Sequence, residues 1–96
     1  MGYLVKITEK YYKYTSHKTG CIYTLNHDAR GINCAGEAYY LKVFYPGVTK
    51  YECPATFCTK DDWHGCYKQD YQGRIWTDKF LILAEANKLI DKMEEA

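Results

Sequence analysis

The sequence predicts an α+β domain: an antiparallel sheet of four to five strands, with a short helix near 60–69 and a C-terminal helix near 78–94 packed on one face. Three observations carry that prediction. Period-two alternation fills the first half of the chain, a Pro-Gly turn punctuates its middle, and an apolar pattern of helical period occupies its end. Strands followed by helices, rather than alternating with them, favour an antiparallel sheet over a parallel βαβ arrangement.

The first strand follows from Tyr3, Val5 and Ile7 alternating with Leu4, Lys6 and Thr8. Tyr11 to Thr15 continues in β-favouring residues, with a bend or bulge expected near Glu9–Lys10, where the apolar phase slips. Ser16 to Gly20 reads as a turn, Cys21 to Leu25 as the returning strand, and Asn26 to Gly36 as a loop. Tyr39, Leu41, Val43 and Tyr45 then make one apolar face, with Ala38, Tyr40, Lys42 and Phe44 opposite. Pro46-Gly47 suits the centre of a type II turn, because Pro fixes φ and Gly supplies a positive φ. Val48 to Cys53 is the second arm, which Pro54 is expected to end.

Beyond Pro54, Thr59-Lys60-Asp61-Asp62 has the form of a capping box, and Trp63, Cys66 and Tyr67 fall at helical spacing. Arg74-Ile75-Trp76 reads as a short strand. Thr77 or Asp78 is positioned to cap the last helix, with Phe80, Leu83, Ala86, Leu89, Ile90 and Met93 as its apolar positions. An alternative has 79–83 prolong the strand. The closing Met-Glu-Glu-Ala reads as a solvated, fraying helix end, since acids there oppose the helix dipole.

Composition bounds the function. The 96 residues form a single domain, 1–96, and are 47% hydrophobic and 26% charged, as expected of a folded globule. A net charge of +1 offers neither the strong field of a nucleic-acid binder nor an acidic mimic of one. Lys6, Lys10, Lys13 and Lys18 nevertheless face only Glu9 within the first twenty residues. With no signal peptide, lipidation box or membrane-length apolar run in view, the expected compartment is the cytoplasm. Five cysteines there are expected as free thiols or ligands.

Three constellations merit attention. Cys53, Cys58, His64 and Cys66 are three thiols and an imidazole, zinc's preferred ligands, and would staple a small domain. Their C-x4-C and H-x-C spacings depart from the usual C-x2-C, so the expectation is no cofactor, with the cysteines as small core residues. A Cys–His nucleophile at Cys58 or Cys66, oriented by Asp61 or Asp62, lacks an oxyanion device. Lys10, Tyr11, Tyr12, Lys13, Tyr14 and Lys18 interleave cations and aromatics, a composition able to stack bases and hold phosphates. It equally describes the outer face of an ordinary strand. Finally, the eleven tyrosines and two tryptophans either fill the core with their hydroxyls reaching water or centre a protein interface, as such residues do. Tyr40, Phe44, Trp63, Tyr67 and Trp76 are the candidate partner-binding residues.

The leading expectation is a non-enzymatic protein that binds and inhibits or modulates a protein partner, of the kind phages and mobile elements direct at host machinery such as defence nucleases. The alternative is a nucleic-acid-binding domain, in one form zinc-stabilised; a thiol- or metal-dependent enzyme is third. No membrane partner is expected, and a homodimer through an edge strand or the Tyr40/Phe44 face stays open.

Overall fold

A computed structural model describes residues 2–28, 38–58, 74–77 and 79–95. Among them, strands β1 (Val5–Thr8), β2 (Tyr11–Thr15), β3 (Ile22–Asp28), β4 (Ala38–Phe44) and β5 (Tyr51–Cys58) form an antiparallel meander in which each strand pairs with the next. A 3-10 turn at Lys79–Leu81 leads into helix α1 (Ile82–Glu95). The α+β class and the C-terminal helix are as the sequence predicts. The proposed helix over 60–69 lies outside the described residues.

A sixth strand, β6 (Arg74–Trp76), adds to β5 in parallel, pairing Thr56 with Arg74 and Cys58 with Trp76. The sheet is therefore larger by one strand than expected, and mixed at that edge. The Thr77 amide continues this ladder, donating to the Cys58 carbonyl at 2.9 Å. The Thr77 backbone is thus tied to the sheet, and Asp78, the other expected cap, lies outside the described residues.

The hairpin turns follow local chemistry. The Val48 amide donates to the Tyr45 carbonyl at 3.2 Å, and Gly47 has φ of 77°, which gives the type II turn that Pro46-Gly47 predicts. The phase slip in the first hairpin resolves into two features: Glu9–Lys10 is the turn itself, and Ile7 is the extra residue between the Lys6↔Tyr12 and Thr8↔Tyr11 pairs. Pro54 does not end β5. Leu41 pairs with Ala55 and Val43 with Glu52, so Cys53 and Pro54 together oppose Lys42 in a bulge. A bulge tolerates a residue with no N–H to give.

One face of the sheet is the core. Tyr23, Leu25, Leu41, Val43, Ala55 and Phe57 are buried there against Ile82, Ala86 and Ile90 of α1, with Tyr12, Tyr14, Tyr39 and Tyr45 packed at the margins. Of the expected apolar positions of α1, Ala86, Leu89, Ile90 and Met93 do face the core, and the stripe differs only at its start. Ile82, Ala86 and Ile90, spaced at i and i+4, point inward, while Phe80 is 90% and Leu83 37% exposed.

The end of α1 is solvated at Glu95 but not at Glu94. Glu94 is only 7% exposed and accepts hydrogen bonds from the hydroxyls of Ser16, of Tyr23 at 2.6 Å and of Thr19 at 2.9 Å. Lys18 donates to the Glu94 carbonyl at 2.8 Å, placing a cation where the helix dipole is negative. Desolvation pushes the Glu94 carboxyl up, but the hydroxyls of Ser16, Tyr23 and Thr19, with Lys18 nearby, outweigh it and hold the carboxyl below its ordinary value. On the same helix, Asn87 Oδ1 accepts from the amides of Tyr3 and Leu4 at 3.2 and 3.1 Å, and Asp91 accepts from the Tyr3 phenol. The chain start and the β2–β3 turn are thus both fastened to one helix.

Candidate functional site

With α1 on one face, the other face of the sheet is covered by no described element at the end bearing Lys13, Ile22, Phe44 and Tyr51. At the opposite end the same face closes over Ala38 and Cys58, each 1% exposed. Strand register sets out the open part in rows. Val5, Lys13, Thr24 and Lys42 align across β1 to β4. Tyr11, Asn26, Tyr40 and Thr56 form the next row, and Thr15, Ile22, Phe44 and Tyr51 another.

The rows hold a repeat that chain order conceals. β2 and β4 both run antiparallel to β3, so they run parallel to each other. Tyr11-x-Lys13 on β2 and Tyr40-x-Lys42 on β4 therefore lie in the same orientation and in register, with Asn26 and Thr24 of β3 between them. The two lysines stand two strands apart, about 9.6 Å between backbones. Thr24 between them is buried and donates its hydroxyl to Asn26 Oδ1 at 2.9 Å. A shallow depression of about 320 Å³ is lined by Tyr11, Lys13, Thr24, Asn26 and Lys42 together with Ile22 and Phe44.

Aromatic groups complete the surface. Phe44 and Tyr51 meet with ring centroids 5.5 Å apart, and the Lys42 ammonium lies 4.6 Å from the Tyr51 centroid, a cation–π contact. Tyr51 is 50% exposed and Val5 61%. Among the described side chains on this face there is no carboxylate: its charges are Lys13 and Lys42.

The sequence-predicted sites fare differently. Of the partner-binding candidates, Tyr40 and Phe44 lie on this face and are half-buried. Trp63 and Tyr67 lie outside the described residues, as does the side chain of Trp76. The basic-aromatic segment is divided by strand alternation. Tyr11 and Lys13 reach the open face, but Tyr12 and Tyr14 pack against the core. Lys18 is held at the end of α1, and Lys10 lies at the first hairpin turn. Those six residues are therefore not one surface.

The alternative zinc quartet meets a geometric limit in β5. Cys53 and Cys58 occupy one extended strand, so five residues place them roughly 15 Å apart. Two thiolates on one zinc ion sit within about 4.6 Å, twice the Zn–S distance. These two cannot share an ion; His64 and Cys66 lie outside the described residues. Cys58 is buried, and Cys53 directs its thiol to the Ala55 carbonyl at 3.4 Å. No described helix is long and apolar enough to cross a membrane.

A second concavity, of about 360 Å³, lies between the first hairpin turn and the start of α1. Tyr12, His27 and Tyr39 line it, with Glu9 and Lys10 at its rim. His27, expected in a loop, belongs to β3 and stacks on Tyr39 with centroids 4.4 Å apart. Opposite charges on the rim give this groove no net preference for a charged ligand.

What sequence reasoning missed on the open face is Lys42 and Tyr51. The signal for Lys42 was present, since it shares its strand phase with Tyr40 and Phe44. Tyr51 was hidden by the bulge at Cys53–Pro54, which shifts the phase of β5. Comparison with protein-family models, with curated proteins and with solved structures finds no match to this chain.

Proposed function

We propose that the chain is a non-enzymatic binding module whose working surface is the open face of its sheet. The observation that carries this reading is the asymmetry of the two faces. One is packed under α1, while the other presents Tyr51, Phe44 and Tyr11 around Lys13 and Lys42. Half-exposed aromatics grouped with cations are the composition of interface centres, where rings contribute area at low entropic cost. The same residues offer no nucleophile–base pair, which is why binding is preferred to catalysis.

A protein partner, inhibited or modulated by the chain, would have to meet this face with an acidic and apolar surface. Capture from a native lysate tests the surface assignment. Immobilised wild type should retain a partner that Phe44→Ala with Tyr51→Ala releases and that Lys88→Ala, on the exposed side of α1, keeps. Equal retention by the open-face variant would overturn the assignment, whereas no retained protein would exclude a protein partner.

A further inference from the structure

Resting on the assignment of the open face as the working surface, we infer that its occupant is a single-stranded nucleic acid. The face is complementary to such a strand in charge and in the shape of its groups. A row of two lysines with no described carboxylate on the same face attracts a polyanion. The neighbouring rows supply Tyr11, Phe44 and Tyr51, whose rings stack on unpaired bases whatever their sequence. On β2 and β4 the order aromatic-then-lysine repeats in the same direction and in register. A strand crossing β2 to β4 would meet ammonium groups along one row and rings along the rows beside it. Asn26, between Tyr11 and Tyr40 in register, adds an amide beside the rings. A duplex stacks its bases internally and would leave these rings unused. An acidic protein surface would satisfy the lysines, but nothing about a protein requires cations and rings in alternating register.

Two phosphate contacts are few, so binding is weak and its salt dependence shallow. For a single strand, two neutralised phosphates give a slope of log K against log salt of about −1.4, or about a 7-fold loss between about 50 and 200 mM salt.

Fluorescence anisotropy with labelled single strands of about 12 nucleotides, DNA and RNA, measures this directly, with a duplex of equal length as control. The expected result is binding to the single strands, a slope near −1.4, and at least about 10-fold weaker binding to duplex. Lys42→Gln or Lys13→Gln should each bring the slope to about −0.7, and Lys88→Gln should leave it unchanged. Phe44→Ala should weaken binding roughly 5- to 100-fold with the slope retained. The wild-type slope and the duplex comparison need no variant, so a misfolded mutant cannot obscure the outcome. No anisotropy change at about 50 mM salt overturns the inference, as does a slope indifferent to both lysine substitutions. If strands fail to bind while a captured protein is lost on Phe44→Ala with Tyr51→Ala, the open-face assignment stands and the nucleic-acid occupant is wrong. If strands bind but neither Phe44→Ala nor the lysine variants matter, both fall.

Discussion

Replacing Glu94 by Ala should destabilise the protein by about 3 kcal/mol, a large part of the roughly 5–10 kcal/mol available to a domain of this size. Glu94 is the common acceptor for three hydroxyls, those of Ser16 and Thr19 in the β2–β3 turn and of Tyr23 in β3. Ser16 and Tyr23 are each 1% exposed, so without the carboxylate their hydroxyls lose a partner that water cannot easily replace. Leaving a buried polar group unsatisfied costs about 1–3 kcal/mol, and hydrogen bonds to a charged group lie at the upper end. Relief of the carboxylate's own desolvation offsets part of that sum. Urea unfolding followed by far-UV circular dichroism measures the difference. Glu95→Ala, one residue on and exposed, is the control and should stay within about 0.5 kcal/mol. The pH dependence has a definite sign. The folded-state pKa of Glu94 is lowered, so its contribution is complete above the ordinary carboxyl value and is lost as pH falls through the folded value. The gap between wild type and Glu94→Gln should therefore narrow on acidification below about pH 4.3. A loss under about 1 kcal/mol for Glu94→Ala, or a gap that widens in acid, would refute the hub.

The helix phase is tested by a pair of truncations: Ile90→Ala should cost about 2–5 kcal/mol and the half-exposed Leu83→Ala under about 1, measured by the same unfolding curves. Spectrophotometric titration of the tyrosines should show late-ionising phenols. The Asp91 hydrogen bond pushes Tyr3 up to about 12, and Asp91→Asn should return it towards 10. Burial and then Glu94 push Tyr23 higher still, so stability present below the ordinary phenol value falls away as pH rises beyond it. Gly47→Ala, at φ of 77°, should cost about 1–2 kcal/mol, whereas Pro54→Ala in its bulge should be nearly neutral; thermal unfolding distinguishes them.

The fold was legible where local chemistry decides it. Alternation in 39–45 assigns the two faces of β4 without any tertiary knowledge, and Pro46-Gly47 dictates its own turn. Pro54 misled because a bulge removes the hydrogen-bonding objection to proline, and a bulge shows only once the partner strand is known. The helix phase was ambiguous because Phe80, Leu81, Ile82 and Leu83 are all apolar, so their pattern does not say which of them meets the sheet. Glu94 was unreadable for a related reason. A carboxylate next to the chain end is solvated in most helices, and only the arrival of Ser16, Thr19 and Tyr23 from distant sequence makes burial favourable. The candidate site followed the same division. Tyr40 and Phe44 could be placed from their own strand. The pairing of Tyr11-x-Lys13 with Tyr40-x-Lys42, separated by a whole intervening strand, exists only in the assembled sheet. Contiguity in sequence grouped Tyr12 and Tyr14 with Lys13, although alternation sends them to opposite faces.

On the proposal made above, a single-stranded nucleic acid sits on the open face, centred on Lys13 and Lys42. Titrating isotopically labelled protein with a single-stranded oligonucleotide, followed by amide chemical shifts, tests it most directly. The account predicts concentration-dependent shifts at Tyr11, Lys13, Thr24, Lys42, Phe44 and Tyr51, with the exposed side of α1, around Lys88 and Lys92, unmoved. Shifts concentrated on α1, or none at saturating oligonucleotide, would contradict it.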